Sequence, residues 1–194
     1  MRRTVNTVTP LQLGWVGNLH AARWLPDGRF ELSGWAYERG HGYTDTPPTI
    51  RVRLKALGAP PVEAEVENYD EPLANSRLSA ATDDYTKSGF VARFDPAALW
   101  ALGRPRRWTV EILISSEGHR AKGTLTRRTS LSSAYYLFPR TFGDGVQVLP
   151  EWDDRNGLRF RVGRPPVRVE NPRLEGREVS LEVVCAGPDF ATAE

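Results

Sequence analysis

The sequence is poor in cysteine and histidine and has no long apolar run, and these absences exclude several classes of protein. A single cysteine, Cys185, cannot form a disulfide within the chain, so the fold does not depend on oxidation. No apolar run approaches the roughly 18 residues that a transmembrane helix needs. Residues 1–6 carry two arginines without the apolar segment of a secretory signal. We therefore expect a soluble, cytoplasmic chain without a transmembrane segment.

Motifs for metal, phosphate and nucleophile chemistry are also missing. Gly143-Asp144-Gly145 lacks the pattern of a phosphate-binding loop, and no GxSxG motif is present. The acidic pairs Asp83-Asp84 and Asp153-Asp154 are typical of solvated turns. No pair at zinc-ligand spacing occurs among the histidines and the cysteine, which are His20, His41, His119 and Cys185. We expect no catalytic residue, no bound metal and no cofactor.

The charge balance argues against nucleic acid as a partner. Twenty-six basic residues against 24 acidic ones give a formal net charge of +2, and the two signs are spread along the chain. A nucleic-acid-binding domain concentrates its basic residues on one face or stripe. Neither DNA nor RNA is therefore an expected partner.

The clearest structural signal is the stretch 29–40, whose side chains alternate between two faces before a glycine. Phe30, Leu32 and two small residues point one way, whereas Glu31, Trp35 and Tyr37 point the other. This period of two predicts a β-strand with one face in the core. The second face is either covered by another layer or presents an aromatic pair to solvent. A turn at Gly17-Asn18 and a short strand at 20–24 are expected before it.

Two hairpins are predicted by matching apolar to apolar positions. In the first, a turn centred on Ala59 sets Arg51, Arg53 and Lys55 of 50–56 opposite the glutamates of 62–67. In the second, 108–116 pairs with 119–125 around Glu117-Gly118. His119 then lies beside a turn, where a solvated histidine is the usual case. Between these hairpins Asp95-Pro96 predicts a short helix over 97–102 that ends at Gly103.

The polar connection 68–88 is the natural place for a binding site, because long loops in compact domains are usually functional or mobile. Aromatic rings stack on the apolar faces of sugars, and neighbouring polar groups add hydrogen bonds. The alternative is that the aromatic residues fill a β-sandwich core. The candidate ligand-binding residues are Trp35, Tyr37, Arg39, Tyr69, Asp84 and Tyr85.

The chain as a whole is predicted to be all-β. We expect an antiparallel β-sandwich, immunoglobulin-like or jelly-roll-like, with one short helix over residues 1–128. Residues 129–145 are expected to form a crossover or linker. Short strands separated by Pro and Gly turns then predict a smaller β segment over 146–194, which we interpret as the start of a following module.

Three stretches carry a resemblance to a known family. Leu32-Ser-Gly-Trp-Ala-Tyr-Glu-Arg-Gly40, Asp84 to Asp95 and Trp108-Thr-Val-Glu-Ile-Leu-Ile114 together resemble accessory β-domains of large actinobacterial cell-wall polymer synthases. Those proteins combine a family 2 glycosyltransferase domain with a CDP-glycerol glycerophosphotransferase domain of the teichoic-acid polymerase type. Val146 to Asp154 and Gly157 to Val162 resemble the segment that follows such a domain.

This resemblance implies a parent protein that transfers sugar or glycerol phosphate and a chain that acts as its non-catalytic spacer or polymer-docking domain. The implied partners are the other domains of the synthase and an anionic or neutral cell-wall polysaccharide. Association with the inner face of the membrane would come through the parent. The alternative is a stand-alone carbohydrate-binding module, which requires Trp35, Tyr37 and Tyr85 to be exposed together. A hydrolase, the third reading, requires a deep pocket with convergent carboxylates.

Overall fold

The computed structural model describes residues 15–43, 46–75, 83–100, 103, 106–116, 119–125, 134–135, 137–165, 167–175 and 178–185. The turn predicted at 117–118 lies outside these residues, as do residues 129–133 of the expected linker.

The described part of the chain is built from strands, which confirms the predicted all-β class. Its helices are 3-10 segments at Pro72–Ala74, Thr86–Ser88, Pro96–Trp100 and Gly143–Gly145, and none of them is long and apolar enough to cross a bilayer. The strands are β1 (Trp15–Trp24), β2 (Phe30–Glu38), β3 (Thr49–Lys55), β4 (Val62–Glu63), β5 (Glu65–Tyr69), β6 (Gly89–Phe94), β7 (Arg106–Ser116), β8 (His119–Thr124), β9 (Ala134–Tyr135), β10 (Arg140–Thr141), β11 (Gln147–Trp152), β12 (Leu158–Gly163), β13 (Val167–Glu175) and β14 (Glu178–Cys185).

Two sheets contain most of these strands. The five-stranded sheet has the order β5-β6-β2-β1-β9, and the seven-stranded sheet has the order β10-β11-β12-β7-β3-β4 with β8 beside β7. β7 is long enough for two neighbours on one edge, because residues 106–109 pair with β12 while residues 111–116 pair with β8. All pairings are antiparallel except the short contact between β1 and β9.

Aromatic rings from the two sheets meet in the core. Phe30 and Phe94 come from neighbouring strands of the five-stranded sheet, and Phe160 comes from β12 of the other. The Phe160 ring makes edge-to-face contacts with both, at centroid distances of 5.0 Å to Phe30 and 5.2 Å to Phe94. Such contacts are favoured by the aromatic quadrupole and add to the burial of apolar area. The two inner faces therefore form one sandwich core.

β2 is buried on both faces and lies at the centre of its sheet. Its polar side includes Glu31, which is only 7% exposed and accepts hydrogen bonds from Arg23 (2.7 Å) and Arg93 (2.8 Å). Burial works against ionisation of this carboxyl, but the two guanidinium groups outweigh it and lower the pKa of Glu31. Of the two possibilities left open by the sequence, the structure shows the covered face.

The turn expected at Gly17-Asn18 was wrong, because β1 runs straight through these residues. Leu19 pairs with Gly34 of β2, and the register then shifts so that His20 forms a bulge. A Cβ atom on Gly34 would overlap the Asn18 carbonyl oxygen, so glycine is required for the two strands to approach. Asn18 is buried in this contact instead of forming a turn.

The first predicted hairpin exists, but its register was wrong. Arg53 pairs with Glu63 and Leu54 with Val62, a shift of two residues from the alignment centred on Ala59. The chain then leaves this sheet at Ala64, and β5 joins β6 in the other sheet, where Glu65 lies opposite Arg93. A shift of two residues leaves every side chain on its original face, so the alternation could not distinguish the two registers.

The second hairpin and the short helix follow the prediction. Ser116 pairs with His119, Ile114 with Ala121 and Ile112 with Gly123. The Asp95 carboxylate accepts a hydrogen bond of 2.9 Å from the Ala97 amide at the start of the 3-10 helix. Gly103 has a φ of +63°, as expected of a residue that ends a helix.

The sheet continues across the segment expected to be a linker. β11 and β12 fall within 146–194, yet β12 pairs with β7, so that Phe160 lies opposite Trp108. Only the hairpin of β13 and β14 pairs with no other described strand. The start of a following module therefore stays a prediction for this hairpin.

Candidate functional site

The candidate site lies at the end of β2, where three aromatic rings form a ladder. Trp35 and Tyr37 share one face of the strand and stack at 5.3 Å between ring centroids. Tyr85, from the connection after β5, stacks on Tyr37 at 3.9 Å. None of the three is more than 2% exposed. The rings are therefore closed to the flat stacking that a sugar requires, and the condition set for a stand-alone carbohydrate-binding module is not met.

The hydroxyl groups around this ladder are also committed to internal contacts. The Tyr85 hydroxyl accepts a hydrogen bond from the Gly40 amide (2.9 Å) and donates to the Asp83 carboxylate (3.0 Å). The Tyr43 hydroxyl accepts one from the Glu38 amide (3.0 Å). Burial raises the pKa of Tyr85 to about 12 and raises that of Tyr43 above its usual value. Both phenols remain neutral at physiological pH and fix the backbone of the turn after β2.

Asp84 closes the connection on which Tyr85 lies. One of its carboxylate oxygens accepts hydrogen bonds from the Asn75 side chain (2.6 Å) and the Thr86 amide (2.9 Å). These two contacts lower the pKa of Asp84 to about 2. The Asn75 side chain in turn accepts a hydrogen bond from the Tyr85 amide. Asp84 therefore organises the loop through its Oδ1 atom.

Tyr69 belongs to a separate polar group beside β2. Its hydroxyl lies 3.2 Å from both the Gly34 carbonyl oxygen and the Glu71 carboxylate. Burial, together with the negative charge of Glu71, raises the pKa of Tyr69 strongly. The same carboxylate lies 3.3 Å from the His20 imidazole. Buried Glu71 thus connects the loop to the bulge of β1.

The structure brings together four of the six candidate ligand-binding residues and separates the other two. Trp35, Tyr37, Tyr85 and Asp84 belong to one packed unit, whereas Tyr69 lies in the Glu71 group. Arg39 is exposed in the turn after β2. A ligand-binding role for any of the six stays a prediction. Arg39 is exposed, Tyr69 and Asp84 are half-buried, and the three rings of the ladder are buried.

A second cluster, which the sequence did not predict, lies at the same end of β2. His41 and His119 lie with their ring centroids 3.8 Å apart, and the Glu38 carboxylate is close to both. The two histidines are distant in sequence: His41 lies in the turn after β2 of the five-stranded sheet, and His119 begins β8 of the seven-stranded sheet. Their proximity depends on the fold, and no local spacing signals it.

An open cleft of about 440 Å³ lies at the opposite end of β2, near its first residues. The Asp27 carboxylate in this cleft is paired with Arg29 at 2.8 Å, and hydrogen bonds from Arg29 lower the pKa of Asp27. The Arg140 guanidinium lies over the Trp24 ring at 5.6 Å and donates to the Leu25 carbonyl. The second carboxylate of the cleft, Asp95, accepts a hydrogen bond from the Ala97 amide, so each charged group lining the cleft already has a partner within the chain.

Comparison with known proteins gives a likeness of fold. No family model matches the chain, and no curated protein matches its sequence. A crystal structure of S. aureus TarS 217-571 resembles it with a TM-score of 0.52 at 9% identity, covering 83% of this chain and 42% of that one. A second crystal structure of S. aureus TarS gives a TM-score of 0.52 at 10% identity, covering 83% and 27% respectively. The chain therefore spans less than half the length of either TarS structure, and the similarity at this identity is one of fold.

Proposed function

We propose that this chain is a non-catalytic accessory domain, a rigid spacer within a larger synthase of a teichoic-acid-like cell-wall polymer. The burial of the aromatic ladder is the observation that carries this proposal. A surface that binds a polymer needs accessible rings, whereas Trp35, Tyr37 and Tyr85 are packed against one another. The likeness of fold to part of TarS supports the setting in a larger, teichoic-acid-related protein.

The resemblance seen in the sequence supplies the finer content of the proposal. The parent would join a family 2 glycosyltransferase to a CDP-glycerol glycerophosphotransferase, as in actinobacterial synthases, and would work at the inner face of the membrane. The spacer's partners would be the other domains of that protein. Its role would be to hold those domains at a fixed separation while the polymer passes between them.

Titration of the purified chain with polyglycerol phosphate tests the proposal. A sulfated dextran serves as the control for negative charge, and a neutral polysaccharide serves as the control for sugar content. Binding is followed by tryptophan fluorescence and by amide NMR shifts. A spacer gives no saturable change at millimolar polymer, and it turns over neither CDP-glycerol nor a nucleotide sugar.

Saturable shifts at the end of β2 and along 68–88 would contradict the spacer and identify a docking domain. Arg39 gives the matched variant, because it is exposed beside the ladder and is not part of its packing. If polyglycerol phosphate bound there, Arg39→Ala would weaken binding without altering the fold. Turnover of either donor by the isolated chain would refute the non-catalytic role.

A further inference from the structure

Two imidazoles and a carboxylate meet where the two sheets approach each other at the end of β2. Glu38, His41 and His119 each offer one ligand atom, and these atoms all lie within 4.8 Å of one another. The His41 and His119 rings are tilted by 44° at a centroid distance of 3.8 Å. Histidine nitrogen and carboxylate oxygen are the donors that Zn²⁺ and related ions prefer when no thiolate is present.

The backbone that carries this cluster is fixed by hydrogen bonds. Glu38 is the last residue of β2, and its amide donates to the Tyr43 hydroxyl. Gly40, with a φ of +82°, reverses the chain towards His41 and donates its amide to Tyr85. His119 begins β8 opposite Ser116. The backbone at Glu38 and Gly40 is thus fixed before any ion binds, and the exposed His119 side chain meets Glu38 and His41 from β8.

Two of the groups have unmet capacity for a partner. The His41 Nδ1 atom is buried and has no hydrogen-bond partner. Among the residues that the structure describes, no ion pair neutralises Glu38. An unpaired buried nitrogen costs free energy, and a bound cation would remove that cost. Coordination at Zn–N distances of about 2.0–2.1 Å sets ligand atoms about 3.3 Å apart in a tetrahedron, within reach of side-chain rotation.

We propose that Glu38, His41 and His119 bind one divalent transition-metal ion of the Zn²⁺ class. Three protein ligands leave a further coordination position to water. Glu38 ends β2 of the five-stranded sheet and His41 follows it, whereas His119 belongs to the seven-stranded sheet, so the ion links the two layers. The site is independent of the proposed spacer role, since it requires neither a polymer nor a parent synthase.

Calorimetric titration of the untagged, metal-free chain with ZnCl₂ tests this site, and Co²⁺ absorption reports the coordination geometry. We expect one ion per chain. His41→Ala and His119→Ala should each weaken binding at least tenfold, as should Glu38→Gln. Zn²⁺ should raise the melting temperature of the wild type and leave that of His119→Ala unchanged, because a ligand stabilises the state that binds it.

The third histidine gives the matched control. His20 lies in the Glu71 group, outside the cluster, so His20→Gln should bind as the wild type does. Cys185→Ser should also retain binding. The proposal is overturned if the wild type shows no saturable binding, if His41→Ala and His119→Ala bind normally while folded by circular dichroism, or if either control loses the ion.

Discussion

Replacing Trp35 by alanine gives the sharpest test of the structural role of the aromatic ladder. Its side chain is 1% exposed and stacks on Tyr37 with an angle of 11° between the rings. Truncating a buried Trp or Phe to Ala costs about 3–5 kcal/mol, because transfer free energy is lost and a cavity remains. Loss of the stacking contact favours the upper part of this range.

A loss of this size is a large share of the roughly 5–15 kcal/mol that stabilises a typical domain. At about 2–4 °C per kcal/mol for a chain of 150–250 residues, the melting temperature should fall by about 6–20 °C. Urea unfolding followed by far-UV circular dichroism measures the free energy without relying on the fluorescence of the missing tryptophan.

Phe138 provides the matched control, because its side chain is 53% exposed. Its contact with Trp24 uses the Phe138 carbonyl oxygen, which alanine retains. Phe138→Ala should therefore change stability by no more than about 0.5 kcal/mol. If Trp35→Ala cost less than about 1 kcal/mol, the ring could not be packed as described, and the argument that the ladder is structural would fail.

Three further outcomes are expected. Gly89→Ala should destabilise the chain in urea unfolding, because its Cβ would lie 2.6 Å from the Tyr69 carbonyl oxygen, whereas Gly143→Ala, with nothing within 4 Å, should be neutral. The raised pKa of Tyr85, about 12, means that its contribution to stability is full below about pH 10 and is lost as pH rises towards 12; tyrosinate absorbance that develops fully near pH 10 in the folded chain would contradict this. A chain ending at residue 165 should fold, whereas one ending at residue 145 should lose cooperative melting, because it lacks the β12 partner of β7; equal stability of the two would refute the pairing.

Local alternation predicted most of the strands and the register of one hairpin. In β7 and β8, a two-residue turn and a run of apolar partners leave one satisfactory alignment, which the structure has. The β3–β4 hairpin had at least two satisfactory alignments, because its Arg and Glu residues repeat with the same period of two as the strand. In the structure Glu67 forms an ion pair with Arg93 of β6 at 3.0 Å instead of lying opposite Arg51.

The candidate site depended on contacts between distant segments, which alternation does not encode. The sequence indicated that Trp35 and Tyr37 share a face, and the structure shows that they do. Tyr85 covers that face. Its position is fixed by the hydrogen bonds of the Asn75 side chain with the Asp84 carboxylate and the Tyr85 amide. The meeting of His41 with His119 likewise follows from the order of strands in two sheets, a property of the whole topology.

The chain passes from one sheet to the other at Ala64, between β4 and β5, and this crossing has a mechanical consequence. β4 is hydrogen-bonded to β3 in one layer, and β5 is hydrogen-bonded to β6 in the other, with a single residue between them. Sliding one layer over the other would require one of these ladders to break. Strain applied across the sandwich is thus carried by backbone hydrogen bonds as well as by side-chain packing.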